Sequence, residues 1–300
     1  MILFRKKYIP LPPIYKVNVM AQYLDPKNDL TFKRIFGEHP DLLIDFLNAV
    51  MPFEPDRQIV SIEYLSNELS PDKPKNKHSI VDVRCKDNYK RLFIIEMQMY
   101  WNSDFYNRML FNAGKAYVRQ IDRGDEYHLL HPVYTLALVN ENFDHKTDKF
   151  NHHYQIVNRE NTDEIIPGLE FVLFELTDKF RPENISDRKL MVLWLRFLKE
   201  TGEKMQKLPD EMQENEHIQK AAQLCERGAF TPEELDAYEK YWDYIRTEKA
   251  IRDGSKREGE VIGEYNKAIT IAKKLLSKGM SVEDIGDITG LSKEQINELT

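Results

Sequence analysis

Cysteine is nearly missing from these 300 residues: Cys85 and Cys225 are the only two, and they do not stand in C-x-x-C spacing. That excludes a disulfide framework and a cysteine zinc site, and two plain reduced thiols are the expectation. Long hydrophobic runs are missing as well. The longest fall far short of the ~20 apolar residues a membrane span needs, and Arg5, Lys6, Lys7 and nearby prolines interrupt the N-terminus where a secretory signal would be apolar. No membrane partner and a cytoplasmic location are therefore expected. A basic excess is absent too, the net charge being -7. Residues 201–300 carry 15 Lys and Arg against 21 Asp and Glu, so the acidic excess belongs to the C-terminal third. A local basic surface elsewhere stays compatible with a nucleic-acid partner.

What is present is enough apolar content, 41% of the chain, to bury a substantial core in one main domain with a smaller appended unit. Residues 1–24 are basic, proline-bearing and patternless, an unstructured leader or a misassigned start, with Met20 as an alternative first residue. From Thr31 the apolar spacing predicts two helices broken at Gly37-Glu38-His39-Pro40. Ile59 to Leu65 reads as a strand, and Ser70 to His78 as a Pro- and Lys-rich loop. A helix is predicted over Asp104 to Ile121, with Arg108, Asn112, Lys115 and Arg119 as a polar stripe. Val133 to Asn140 has the continuous apolar run of a strand buried on both faces, and Tyr154 to Asn158 and Phe171 to Leu176 are further strand candidates. This order predicts an α/β fold with a mixed sheet.

Beyond Ser186 the chain reads as helical: Asp187 to Glu200, Glu214 to Arg227, Pro232 to Ile251 and Glu258 to Ser277. The expected organisation is an α/β core over 25–185, a helical extension over 186–257 and a tail over 258–300. The tail holds two capping-box signatures, Ser281 with Asp284 and Ser292 with Gln295, separated by a turn at Thr289-Gly290, as in a helix-turn-helix. Its second helix offers Lys293, Glu294 and Asn297, a poor set for a polyanion, which favours packing or self-association into a homodimer or higher oligomer through the C-terminal helices.

Chemistry concentrates in the strand-like runs Ser79 to Lys86 and Arg91 to Met99, joined at an Asp87-Asn88 tip that suits a hairpin. Among their apolar residues stand Asp82, Glu96 and Gln98. Glu96 and Gln98 share a face because strand side chains alternate. A register pairing Asp87 with Arg91 sets Asp82 opposite Glu96, at roughly the 4.5 to 5.5 Å Cβ spacing of facing residues. Carboxylates that close repel unless a cation lies between them, and Mg²⁺ or Mn²⁺ held by two carboxylates, water and phosphate oxygens fits the pair. Gln98 could orient an attacking water. On the residues alone, Glu96 and Gln98 could equally line the wet face of a half-exposed strand. Adjacent histidines on a strand face opposite ways, so His152 and His153 are not expected to share a metal.

The segments Asn28-Asp29-Leu30-Thr31-Phe32-Lys33-Arg34-Ile35-Phe36-Gly37, Ile80-Val81-Asp82-Val83 and Ile95-Glu96-Met97-Gln98 together resemble the PD-(D/E)XK nuclease family transposases, the group related to the recombination-promoting nucleases. Similarity covers residues 25 to about 140 well and the helical tail more loosely. The resemblance implies a restriction-endonuclease-like αβββαβ core that cleaves DNA with Mg²⁺ or Mn²⁺, followed by a mostly helical C-terminal region. Asp82 and Glu96 match the motif's metal-binding acids. Gln98 falls where the wider superfamily usually has Lys, and a neutral amide cannot supply that positive charge. The alternative is a catalytically inert nuclease-fold binding or regulatory protein that oligomerises through its tail. Asp29 matches an acidic position near the first helix, where it would hold water or metal; as a helix N-cap it needs no such role. Lys33, Arg108, Lys115 and Arg119 are candidate phosphate contacts, though each also fits a solvated helix face.

Overall fold

The computed structural model describes residues 23–69, 79–184 and 189–299. The predicted loop over 70–78, most of the 1–24 leader and the start of the helix expected from Asp187 lie outside the described residues. The chain begins with α1 (Asp29–Glu38) and α2 (Pro40–Val50), separated at His39 as the Gly37 to Pro40 signal predicts. A six-stranded mixed sheet follows, built from β1 (Ile62–Tyr64), β4 (Val83–Asp87), β5 (Leu92–Gln98), β6 (Val133–Val139), β7 (Asn151–Val157) and β8 (Ile165–Glu175) in the order β1-β4-β5-β6-β8-β7. β5, β6 and β8 run parallel, and β1, β4 and β7 pair antiparallel to their neighbours. α3 (Phe105–Val118) makes the crossover from β5 to β6. The succession α2, β1, β4, β5, α3, β6 is the αβββαβ order.

Alternation along the central strands decides which side chains meet which layer. Phe93 and Ile95 of β5, with Leu136, Leu138, Val172 and Phe174, enter the main core beside α1, α2, α4 (Lys189–Glu200) and α6 (Glu216–Leu224). Ile94, Val133, Ala137, Val139 and Leu173 face the other way, against Phe105, Met109, Ala113 and Ala116 of α3. Glu96 and Gln98 follow Ile94 in period two, so they belong to the α3 side.

The β4–β5 hairpin is fixed by its own turn. Asp87 Oδ1 accepts from Tyr89 N at 2.9 Å and from Arg91 N at 2.8 Å, and its Oδ2 accepts from Arg91 Nε at 2.6 Å. Lys90 takes the left-handed conformation, φ 61°, that closes the reversal. The resulting register pairs Val83 with Ile95 and Lys86 with Leu92, as expected from pairing Asp87 with Arg91.

Four features depart from the sequence reading. The run Ser79 to Lys86 is not one strand: β3 (Ser79–Ile80) pairs with β2 (Glu68–Leu69) in a separate two-stranded sheet, and β4 starts only at Val83. Asp82 makes the break, because its carboxylate takes the Met97 N–H at 2.7 Å that a ladder carbonyl would otherwise accept. Asn28, not Asp29, caps α1, its Oδ1 accepting from Leu30 N at 3.0 Å. Pro232 to Ile251 and Glu258 to Ser277 form one helix, α7 (Pro232–Leu276), since Gly254 and Gly259 lower helix propensity by ~1 kcal/mol each without supplying a turn. A short helix, α5 (Asp210–Gln213), also forms after Pro209 where none is predicted.

The described residues divide into two compact units between Tyr238 and Glu239. In the second unit, α8 (Val282–Thr289) and α9 (Lys293–Asn297) carry the two expected caps: Ser281 accepts from Asp284 N, and Ser292 forms the full capping box with Gln295. Gly290, at φ 71°, turns the chain between them. Ile285, Leu291 and Ile296 bury against Ala272 of α7 to form a small core. Among the described residues no helix is long and apolar enough to cross a membrane.

Candidate functional site

At the C-terminal end of β5 the ladder gives way to polar side chains. The register that stops at Val83–Ile95 brings Asp82 to the position facing Glu96. Asp82 is half-buried, with its backbone carbonyl held by Asn67 Nδ2 at 2.8 Å and its Oδ2 by Met97 N. Oδ1 has no partner among the described residues. Burial pushes the Asp82 carboxyl up to about 7; the Met97 N–H opposes the rise, Glu96 and Asp29 add to it, and Lys33 opposes it. Glu96 is 6% exposed. Burial raises its pKa as well, against the pull of Arg108 and of the Asn112 hydrogen bond.

Two residues of α3 reach down onto this end of β5. Asn112 Nδ2 donates to Glu96 Oε1 at 3.2 Å while its Oδ1 accepts from Ser79 Oγ at 2.7 Å. Arg108 Nη2 donates to Glu96 Oε2 at 3.3 Å and to Gln98 Oε1 at 2.5 Å. Gln98 Nε2 donates to the Tyr100 carbonyl at 2.6 Å. Two carboxylates, an amide and a guanidinium thus converge on one sheet end, the place where α/β sheets bind ligands.

Residues 26–254 match the family described as PD-(D/E)XK nuclease family transposase. The chain belongs to this family. The match covers the sheet, all four residues of the sheet end and most of the helices, so the PD-(D/E)XK nuclease fold is the architecture of the core. Residues 266–300 match the C-terminal helix-turn-helix domain of the Rpn/YhgA-like nuclease family, which accounts for α8, α9 and the caps that begin them. No curated protein and no solved structure matches the chain significantly.

In this PD-(D/E)XK chain the other expected residues scatter. Asp29 sits in the first turn of α1 and pairs with Lys33 at 2.7 Å, both side chains being more than a third exposed. The two act on Asp82 through their charges and make no hydrogen bond to it among the described residues. Lys115 Nζ donates to the Leu69 carbonyl at 2.5 Å, which ties α3 to the small sheet and occupies one of its protons. Arg119 lies at the C-cap of α3. His152 and His153 do face opposite ways, His152 to Glu175 at 3.1 Å and His153 to Glu170 at 2.9 Å. Sequence reading does not reach the roles of Asn67 and Asn112, which hold Asp82 and Glu96, of Ser79, which braces Asn112, or of the Tyr100 carbonyl, which holds Gln98. The polar stripe on α3 was the one available signal, and it named Asn112 without a partner.

Among the described residues no three His, Cys, Asp or Glu side chains group as metal ligands. The donor set is instead the two hard oxygens of Asp82 and Glu96. That set suits Mg²⁺ or Mn²⁺, which take one or two carboxylates and complete their shells with water and phosphate. Both carboxyls being raised in pKa fits the same group, because a cation would remove the repulsion and desolvation that disfavour their ionised forms.

Proposed function

We propose that this protein is a divalent-metal-dependent DNA endonuclease acting in transposition or recombination. The observation that carries this reading is the meeting of Asp82 and Glu96 at the end of β5, in a chain whose family is that of nuclease-type transposases. Asp82 and Glu96 would hold the ion. When bound, it would polarise the phosphoryl group and generate hydroxide near neutral pH. Asn112 holds Glu96 Oε1, and Asn67 with Met97 fixes Asp82, so both carboxylates would be oriented before an ion arrives. Lys33 of α1 and Arg108 of α3 would offer positive charge for the DNA backbone, and Lys115 and Arg119 would extend that contact along α3.

DNA as the partner is supported by the helix-turn-helix match over residues 266–300. In that pair the Lys293 side chain is held by Glu283 at 2.5 Å, so base reading by α9 would have to release it. Oligomerisation through the C-terminal helices is proposed alongside, in keeping with dimeric helix-turn-helix proteins that bind paired half-sites.

The test is plasmid cleavage by purified protein with Mg²⁺ or Mn²⁺, and with EDTA as control. Wild type should nick or linearise the plasmid, and Glu96→Ala and Asp82→Asn should each remove that activity. Equal cleavage by wild type and Glu96→Ala would assign the activity to another site or a contaminant.

A further inference from the structure

Gln98 is neutral, yet the charge that a nuclease needs near its scissile phosphate is present one layer away. Among the described residues Arg108 is the only cationic side chain hydrogen-bonded to Glu96 or Gln98. Its contact with the Gln98 amide, 2.5 Å, is closer than its contact with the Glu96 carboxylate, 3.3 Å. The amide is not free to turn away, since its Nε2 is spent on the Tyr100 carbonyl. A flipped amide would set N–H against guanidinium. Both ends of Gln98 are therefore committed, which suits a residue that holds Arg108 better than one that orients water.

Arg108 in turn has capacity left. Only Nη2 is hydrogen-bonded among the described residues; Nη1 and Nε have no hydrogen-bond partner there, the side chain is 39% exposed, and its Cζ lies 4.9 Å from the centroid of the Phe105 ring. The unused N–H donors of Nη1 and Nε lie on different edges of the guanidinium, so each can donate singly to a phosphate oxygen while Nη2 stays on Gln98 and Glu96, and the full positive charge remains beside the carboxylates. If a cation neutralises Glu96, the ionic link from Arg108 to that carboxylate weakens, but the Gln98 bond does not depend on charge and keeps the guanidinium at the site.

We infer that Arg108 is the catalytic cation of this site, contacting the phosphate as its charge develops, and that Gln98 is its positioning residue. The inference rests on the nuclease reading above and deepens it. Strand residue 98 and helix residue 108 would then be interchangeable as sources of charge, provided that only one of them carries it.

A charge exchange tests this, using the full chain, plasmid DNA and Mn²⁺. Arg108→Gln should lower kcat by about 100-fold or more with KM changed far less, the size expected for losing one preorganised donor to a developing charge. Gln98→Lys should also lower kcat, because two cations then compete for one place. The double variant Gln98→Lys with Arg108→Gln should recover at least tenfold over Arg108→Gln. Mn²⁺ titration of the DNA-free protein supplies a readout apart from turnover: Arg108→Gln should bind Mn²⁺ as tightly as wild type or more so, since Glu96 loses a competing cation. A double variant no better than Arg108→Gln, or an Arg108→Gln protein that loses Mn²⁺ affinity and melting temperature together, would overturn the inference in favour of a purely structural arginine. Glu96-dependent cleavage that survives Arg108→Gln overturns this inference alone. Absence of Glu96-dependent cleavage in wild type overturns the nuclease reading and this inference with it.

Discussion

Asp82 ends a β-ladder and faces a second carboxylate, and its ionisation has consequences for both stability and metal binding. Its folded pKa of about 7 lies above the ordinary 3.8, so between these values the folded state binds the proton more tightly than the unfolded chain. The contribution therefore favours folding at low pH and is lost as pH rises toward 7. Metal-free protein should melt at a lower temperature at pH 8 than at pH 6, and Asp82→Asn should reduce that difference, as differential scanning fluorimetry would record. With Mn²⁺ the order reverses, because a proton must leave Asp82 before the ion binds; affinity measured by calorimetry should fall as pH drops below about 7. Asn112 is the second residue to probe. Asn112→Ala removes the donor to Glu96 Oε1 and the acceptor of Ser79, and should weaken Mn²⁺ binding about 10- to 100-fold, as outer-shell partners of metal ligands do.

Helix starts give a separable pair of variants at the scale of elements. Asn28 is fully buried, caps α1 and also donates to the Tyr238 carbonyl at 3.4 Å, so Asn28→Ala should destabilise the protein by about 1 kcal/mol or more in urea unfolding. Asp29→Ala leaves that cap intact and breaks only an exposed pair with Lys33, so its stability should change by less than about 0.5 kcal/mol. Any loss of cleavage in Asp29→Ala then reports its charge near Asp82 rather than a broken helix. α7 offers the opposite case. A methyl group at Gly254 or Gly259 meets nothing within 4 Å, so Gly259→Ala should raise helix stability by up to ~1 kcal/mol, seen as a higher melting point by circular dichroism. The continuity of α7 also shows where helix reading falters, since two glycines in a charged stretch look like a boundary when no tertiary partner is in view.

For the whole molecule, the position of Tyr238 dictates where a truncation can fall. It is buried, and its hydroxyl accepts from Asp25 N at 3.0 Å, so a cut at residue 230 would open the core that holds α1. Removing 266–300 instead takes away the end of α7, α8, α9 and the small core around Ala272 while sparing every residue of the sheet end. Such a protein should keep wild-type Mn²⁺ binding and lose DNA affinity in a gel-shift titration; undiminished affinity would argue that the helix-turn-helix does not engage DNA. Light scattering of the same protein tests oligomerisation through these helices, with a fall in mass expected.

The sequence by itself determined the elements that depend on local order. Period-two alternation and the Asp87–Arg91 turn fix the hairpin register, and the register puts Asp82 across from Glu96; the Ser281 and Ser292 caps define the last two helices. These are short-range effects, legible because each residue's role depends on neighbours a few positions away. Only the tertiary structure decided what surrounds the carboxylates. Arg108 and Gln98 lie ten positions apart on different elements, and no periodicity links a strand to the helix that packs on it. Their contact exists because the apolar face of α3, Met109, Ala113 and Ala116, buries against Ile94, Val133 and Ala137 and so lowers its polar edge onto the end of β5. Burial of that face sets the place of the guanidinium, and with it the source of positive charge at a site whose strand supplies none.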